Sequence, residues 1–251
     1  MKQFGLIGLP LTHSFSKKFF TEKFEREQID ARYDLFELKQ IADFTLLIEE
    51  HEFSGLNVTI PYKEKVMEFM DELDETASEI GAVNVIKFIR NKENLILKGY
   101  NSDAIGFENS LKPFLKSHHT NALILGTGGA SKAIDYVLRK NGIQTTFVSR
   151  TVKPDRLTYY QLTEEIIQTN TIIINASPVG TFPHAKECPD IPYQFLTVNH
   201  LLFDVVYNPA ETVFLKKGRE QGATGLNGEQ MLIGQAIAAW EIWNDNFSEI
   251  S

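Results

Sequence analysis

The hydrophobic pattern of the chain alternates between short apolar runs and amphipathic segments. Runs such as QFGLIG and GLNVTI have the length of buried strands. The segment SKKFFTEKFEREQI places Phe20 and Phe24 four residues apart, on one face of a helix. Alternation of strands with helices predicts an α/β protein with mostly parallel sheets.

The same pattern predicts two successive sets of elements. The first set comprises strands at QFGLIG, ARYDLFEL and GLNVTI, helices at SKKFFTEKFEREQI, IADFTLLIEE and YKEKVMEFMDEL, and a hairpin of AVNVIKFI with NLILKGY. The second set comprises strands at NALIL, QTTFVSRT, NTIIINASPVG and HLLFDVVYNP, and helices at GASKAIDYVLRK and AETVFLKKGREQG. Gly142 marks a helix end. The last helix, EQMLIGQAIAAWEIWN, can pack on either set, and residues 103–115 are expected to connect the two.

Length, charge and cysteine content narrow the class of protein. The 251 residues suit one large domain or two of ordinary size. A formal net charge of −8 argues against a nucleic-acid binder. The single cysteine, Cys188, excludes an internal disulfide and fits a reducing cytoplasm. The histidines show no metal-binding spacing, and no apolar run reaches membrane-spanning length, so we expect neither a metal site nor a membrane span.

A glycine-rich turn follows the strand at NALIL and opens a helix. Gly126, Gly128 and Gly129 of LILGTGGAS let the backbone turn tightly and approach a pyrophosphate, whose charge a helix N-terminus stabilises. Ser131 stands where the dinucleotide fingerprint has Gly or Ala, so the match is imperfect and a purely structural turn is the alternative. The context of strand and helix favours a dinucleotide site.

The end of the next strand bears on which dinucleotide binds. An NAD enzyme usually places Asp or Glu there for the ribose 2′-hydroxyl. Here the strand ends in Ser149, Arg150 and Thr151, and a guanidinium with hydroxyl neighbours suits a 2′-phosphate. The sequence therefore favours NADP, with a solvated surface arginine as the alternative.

Lys63 and Asp103 are candidates for proton transfer. Lys63 falls in the first turn of the helix predicted at YKEKVMEFMDEL, where the helix dipole disfavours a cation. An ammonium group there can protonate the alkoxide that forms when a nicotinamide enzyme reduces a ketone. Asp103 in GYNSD is the best candidate for a carboxylate that orients it. The alternatives are a solvent-facing Lys63 and a helix-capping Asp103.

Nine segments of the chain together resemble the shikimate dehydrogenases, in which they occur in the same order. They are HSFSKKFF, GLNVTIPYKE, GAVNVI, GYNSDAIGF, LGTGGASKA, SRT, INASPVG, DVVYNPAET and GEQMLIGQA. The resemblance runs from near residue 5 to near residue 240. It implies reversible NADPH-dependent reduction of 3-dehydroshikimate to shikimate, in the chorismate pathway to aromatic amino acids.

The resemblance also implies roles for individual residues, with Lys63 and Asp103 as the catalytic pair. The implied substrate-binding residues are Ser14, Ser16, Asn57, Thr59, Lys63, Asn84, Asp103, Tyr207 and Gln235. The implied cofactor-binding residues are Gly126, Thr127, Gly128, Gly129, Ala130, Ser149, Arg150, Thr151, Val205 and Gly228. Taken from the residues alone, Ser16 is equally well read as a helix cap, and Gln235 as part of a solvated helix face.

Because Gln235 lies in the last helix, the resemblance assigns that helix to the first domain. We therefore expect a substrate domain of residues 1–103 with 229–251, a Rossmann-like NADP domain of residues 104–228, and an active site in the cleft between them. We expect a cytoplasmic monomer or homodimer. Two alternatives remain: a quinate/shikimate dehydrogenase that also uses NAD, and a non-catalytic regulator that binds shikimate or nucleotide.

Overall fold

A computed structural model describes residues 1–11, 14–92 and 94–245. The chain divides into two compact units. Of the described residues, the first unit contains Met1–Ser102 and those from Gln235 to Asp245, and the second contains Asp103–Gly234. In the described part of the chain, no helix is both long and apolar enough to cross a membrane.

The first unit is built on a mixed sheet that is covered by helices. Its elements are β1 (Lys2–Gly8), α1 (Phe15–Arg26), β2 (Ala31–Glu37), α2 (Asp43–Glu50), β3 (Phe53–Val58), β4 (Glu72–Leu73), α3 (Glu75–Ile80), β5 (Val85–Arg90) and β6 (Leu95–Tyr100). The order across the sheet is β2-β1-β3-β5-β6-β4. β1 pairs in parallel with β2 and β3, whereas β5 is antiparallel to both β3 and β6.

The second unit contains a sheet in which every pairing is parallel. Its elements are α4 (Ser102–Leu111), β7 (Asn121–Leu125), α5 (Gly129–Lys140), β8 (Gln144–Ser149), β9 (Leu157–Thr158), α6 (Glu164–Thr169), β10 (Ile172–Asn175), β11 (Leu201–Asp204), α7 (Val213–Glu220) and β12 (Thr224–Asn227). The sheet order is β12-β11-β10-β7-β8-β9, so the chain reverses direction across the sheet between β7 and β10. In such folds ligands bind at the carboxyl ends of the strands beside this reversal.

The last helix, α8 (Glu229–Trp243), contributes its C-terminal part to the core of the first unit. The Trp243 ring lies 4.8 Å from that of Phe4, measured between centroids, and its indole N–H donates to the carbonyl of Ile86 at 3.1 Å. Trp240 packs on Phe4 and Phe24. These large aromatic contacts fix the end of α8 against β1 and β5.

The observed elements confirm the predicted α/β class and most of the predicted strands and helices. The helix predicted at YKEKVMEFMDEL is wrong: the segment forms a 3-10 helix, Lys65–Phe69, and then the short strand β4. Its apolar spacing suits a helix, but Asp71 and Asp74 donate their backbone N–H groups to the carbonyls of Leu97 and Gly99 in β6. This tertiary pairing overrides the local pattern. The pattern also missed α3, α6, β9 and β12, which are short.

Candidate active site

The glycine loop of the second unit is fitted between β8 and β10. Gly126 has φ of +115°, a conformation that favours glycine. A Cβ atom there would lie 3.1 Å from the carbonyl oxygen of Ala176 and 3.3 Å from Cβ of Ser177. The Gly126 N–H donates to the carbonyl of Val148 at 2.9 Å. The loop therefore sits at the strand reversal, where a dinucleotide crevice is expected.

The N-terminus of α5 follows this loop directly. Gly128 is the cap residue, Thr127 and Gly128 are exposed, and a Cβ atom at Gly128 would have no neighbour within 4 Å. Ser131 is buried, and both its backbone N–H and its hydroxyl donate to the Gly128 carbonyl. This explains how the helix accommodates a serine at the imperfect fingerprint position. The open N-terminus, with Gly129 and Ala130 in its first turn, can hold a pyrophosphate.

The end of β8 presents an exposed cation. Ser149 is buried, and its hydroxyl donates to the carbonyl of Thr151 at 2.6 Å. Arg150 and Thr151 are exposed. Burial raises the pKa of Tyr159, and the nearby charge of Arg150 opposes that rise. The Ser149 hydroxyl therefore shapes the turn, while the guanidinium of Arg150 is accessible to a phosphate.

Two predicted cofactor-binding residues, Val205 and Gly228, lie in direct contact. A Cβ atom at Gly228 would fall 2.1 Å from the carbonyl oxygen of Val205, so the two backbones touch. The Gly228 N–H donates to the carbonyl of Val206 at 3.2 Å, and the Val205 N–H donates to that of Asn175 at 2.9 Å. Tyr207, two residues beyond Val205, is 41% exposed.

A buried carboxylate supports this loop, and the sequence reasoning missed it. Asp204 is fully buried. Its Oδ1 accepts from Val206 N at 3.0 Å and from Asn175 Nδ2 at 2.9 Å, and its Oδ2 accepts from Thr212 Oγ1 at 2.6 Å. Burial raises the pKa of Asp204 to about 6, and the three hydrogen bonds oppose that rise. The available signal was an acidic residue that ends the apolar strand HLLFD.

In the first unit, the two predicted substrate-binding serines lie at the start of α1. Ser14 is the helix cap, and its side chain accepts from Lys17 N at 3.2 Å. Ser16 lies inside the first turn, so reading it as the cap is wrong. Its side chain forms a hydrogen bond with Tyr33, whose pKa burial raises well above the usual value.

Two predicted substrate-binding asparagines form a buried polar network. The Tyr33 hydroxyl donates to Asn57 Oδ1 at 2.7 Å, and Asn57 Nδ2 donates to the carbonyl of Asn84 at 3.4 Å. Asn84 Oδ1 accepts from the backbone N–H of Ser102 at 2.7 Å and from its hydroxyl at 3.2 Å. The network therefore fixes both asparagines and the residue that precedes Asp103.

Thr59 and Lys63 follow the carboxyl end of β3. Thr59 donates its backbone N–H to the carbonyl of Ile7 at 2.9 Å. Lys63 is half-buried in a turn before the 3-10 helix, and its carbonyl accepts from Val83 N at 2.7 Å. The prediction of Lys63 in the first turn of an α-helix is therefore wrong, and so is the expected influence of an α-helix dipole on it.

Two further predicted residues are largely buried. Asp103 is 7% exposed and lies in the first turn of α4, so it is not the cap residue. Gln235 is 8% exposed, so reading it as part of a solvated helix face is wrong. Among the residues that the structure describes, no group of three or more His, Cys, Asp or Glu side chains can hold a metal ion.

Comparisons with known proteins identify relatives over nearly the whole chain. Residues 6–86 match the family model described as the shikimate dehydrogenase substrate binding domain. A shikimate dehydrogenase (NADP(+)) of Clostridium beijerinckii is 37% identical, and the alignment covers 98% of this chain and 93% of the relative.

Solved structures show the same likeness. The crystal structure of a chorismate mutase/shikimate 5-dehydrogenase fusion protein from Clostridium acetobutylicum has a TM-score of 0.86 and 34% identity, over 100% of this chain and 93% of that one. A quinate dehydrogenase from Corynebacterium glutamicum in complex with NAD has a TM-score of 0.85 and 26% identity, over 97% and 94%.

We expect Gly228→Ala to destabilise the second unit. The added methyl group would overlap the Val205 carbonyl, and such overpacking typically costs about 1–3 kcal/mol. Urea unfolding followed by circular dichroism measures the change. Gly225→Ala, on β12 nearby, is the control: its Cβ would come no closer than 3.3 Å to its neighbours, so we expect little loss. Equal stability of the two variants would contradict the proposed backbone contact.

Proposed function

The chain belongs to the shikimate dehydrogenase family, and on that basis we propose that it catalyses the reversible NADPH-dependent reduction of 3-dehydroshikimate to shikimate. This reaction belongs to aromatic amino acid biosynthesis. The observation that carries the proposal is the 37% identity to a shikimate dehydrogenase (NADP(+)) across 98% of the chain. The glycine loop at the strand reversal supports it independently, because it provides a place for a dinucleotide.

The residues of the second unit fit NADP. The loop from Gly126 to Ala130 leaves the N-terminus of α5 open for the pyrophosphate. Arg150 would grip the 2′-phosphate through charge-assisted hydrogen bonds, with Ser149 and Thr151 forming the turn beside it. Val205 and Gly228 would border the nicotinamide. When bound, the reduced cofactor supplies the hydride.

Lys63 and Asp103 handle the proton in this proposal. Reduction of the ketone places negative charge on its oxygen, and that oxygen must receive a proton. The Lys63 ammonium carries protons at Nζ and is half-buried, so it can donate within a site partly shielded from water. The largely buried carboxylate of Asp103 would accept a hydrogen bond from the reacting hydroxyl and orient it.

The remaining residues would bind the substrate. The hydroxyls of Ser14 and Ser16, at the start of α1, would hold the carboxylate with help from the helix N-terminus. The ring hydroxyls would bind the polar side chains of Asn57, Thr59, Asn84, Tyr207 and Gln235. Because Asn57 and Asn84 are already fixed by hydrogen bonds, little ordering remains to be done when the substrate binds.

The domain assignment is part of the same proposal. Residues 1–103 with 229–251 would bind substrate, and residues 104–228 would bind NADP. The family model of a substrate binding domain, which matches residues 6–86, supports the first assignment. We also propose a monomer or homodimer in the cytoplasm, a location that suits a chain with one cysteine.

An absorbance assay at the band of the reduced nicotinamide tests the activity. We expect the signal to rise with shikimate and NADP⁺, and to rise much less with NAD⁺ or with quinate. Comparable rates with quinate and NAD⁺ would favour the alternative of a quinate/shikimate dehydrogenase. The structural similarity to a quinate dehydrogenase is the reason to include this substrate in the assay. Calorimetric binding of shikimate without turnover would favour the regulator and overturn the proposed activity.

We expect Lys63→Ala to reduce turnover by about 10²–10⁴-fold, the usual contribution of general acid–base catalysis. Shikimate binding measured by calorimetry should persist, because the other polar side chains remain. Lys65→Ala is the matched control: Lys65 is exposed and lies two residues away, so its loss should leave the rate unchanged. Full activity of Lys63→Ala would exclude the proton-transfer role.

Arg150→Gln should weaken the binding of NADPH while leaving the binding of NADH unchanged. Loss of a charge-assisted contact to the 2′-phosphate is worth roughly 1.5–3 kcal/mol, or about 10- to 100-fold in KM for NADPH. The KM for NADH, which lacks that phosphate, should not rise. Arg139→Gln, an exposed substitution on α5, controls for the loss of a positive charge. An equal rise in KM for NADPH and NADH would show that Arg150 does not bind the 2′-phosphate.

A further inference from the structure

The carboxylate of Asp204 lies beneath the loop that follows β11. We propose that Asp204 is a positioning residue: its carboxylate holds the backbone from Val205 to Tyr207 in the conformation that receives the nicotinamide and the substrate. The inference rests on the proposed function, because it concerns how that same site is held in shape.

The loop is held directly by Asp204. The peptide N–H of Val206 donates to Asp204 Oδ1 at 3.0 Å, and the carbonyl of Val206 accepts from Gly228 at 3.2 Å. The next peptide toward the strand is fixed as well, because Val205 donates its N–H to Asn175 at 2.9 Å. The backbone on both sides of Val205 is therefore anchored, and one of its anchors is the Asp204 side chain.

The two carboxylate oxygens have different partners. Oδ1 accepts from the backbone N–H of Val206 and from Nδ2 of Asn175 on β10. It therefore connects the loop after β11 to the end of the neighbouring strand β10. Oδ2 accepts from Thr212, the cap residue of α7, whose hydroxyl also accepts from Leu215 N. Loss of the Thr212 contact therefore affects the helix cap while the loop contact remains.

The charge of Asp204 matters to these contacts, because hydrogen bonds to an ionised acceptor are roughly twice as strong as neutral ones. A protonated Asp204 keeps Oδ1 as an acceptor for Val206, but a weaker one. Asparagine is uncharged and has nearly the shape of a protonated aspartic acid, with an Oδ1 acceptor in the same place. Asp204→Asn should therefore behave at every pH as the wild type does at low pH. Since burial raises the pKa of Asp204 to about 6, the change falls within an accessible range.

Other titratable groups form a cluster with Asp204 around Tyr193. Tyr193 interacts electrostatically with Asp204, and burial raises the pKa of its phenol far above 10, so it stays neutral. Cys188 and Asp190 act on Tyr193, and Lys217 lies over the Tyr193 ring at 4.8 Å from its centroid. Of the two groups here whose pKa is shifted, Tyr193 and Asp204, only Asp204 has a pKa near 6.

The first test measures the dissociation constant of NADPH by nicotinamide fluorescence at pH 8. Asp204→Asn should weaken binding by up to about tenfold, the difference between a charge-assisted and a neutral hydrogen bond. Asp135→Asn is the matched control, because Asp135 also accepts from a threonine, Thr145, but supports no part of this loop. Unchanged NADPH affinity in Asp204→Asn would overturn the inference.

The second test follows the same dissociation constant between pH 5 and 8. In the wild type, NADPH binding should weaken as the pH falls through about 6, and in Asp204→Asn this component should be absent. The 2′-phosphate also titrates near pH 6, but equally in both proteins, so the difference between them isolates Asp204. Identical pH curves for the two proteins would refute the positioning role.

A threonine pair keeps the inference testable if Asp204→Asn does not fold. Thr212→Val removes a hydrogen bond that lowers the Asp204 pKa, so the midpoint of the pH curve should move upward. Thr212→Ser keeps the hydroxyl and should leave the midpoint in place. A midpoint that does not move in Thr212→Val would contradict the inference, since mere destabilisation of α7 shifts no midpoint.

The failure of the inference can be told from the failure of the proposed function. A wild-type protein that neither binds NADPH nor oxidises shikimate would refute the function itself. A wild-type protein that does both, with variants that match its affinity and pH curve, would refute only the role of Asp204.

Discussion

The reversal of strand order between β7 and β10 is the constraint on which the second unit depends. Because every pairing in that sheet is parallel, the carboxyl ends of its strands all meet at one edge. The glycine loop after β7, Arg150 after β8 and the Val205 loop after β11 are therefore brought to the same edge by the topology alone. Individual residues then have two further tasks at this edge. Gly126 and Gly228 leave room for the backbones of Ala176 and Val205, and Arg150 supplies a positive charge.

Much of this arrangement could be predicted from the sequence, because its signals are local. A glycine turn between a strand and a helix, and a basic residue at the end of the next strand, are each read within ten residues. The prediction of a helix at YKEKVMEFMDEL was wrong because the end of this segment pairs with β6, which lies more than twenty residues away in the sequence. Asp204 was missed for the same reason: its role is visible only once Asn175, 29 residues away, lies beside it.

The first unit contains buried polar side chains whose burial costs little free energy, because each of them is hydrogen-bonded. Asn57 and Asn84 are both buried, yet their side chains make hydrogen bonds with Tyr33, Ser102 and the backbone. Satisfied buried amides cost little and are held in one orientation. Ser102, the residue before Asp103, donates its hydroxyl to Asn84 Oδ1.

The aromatic contacts at the end of α8 have a practical consequence for spectroscopy. The chain has two tryptophans, Trp240 and Trp243, and both pack within the core of the first unit. Intrinsic indole emission therefore senses the surroundings of only one half of the molecule. An emission curve taken during denaturation follows the melting of that half, and the parallel sheet is visible only to methods that register backbone or tyrosine signals.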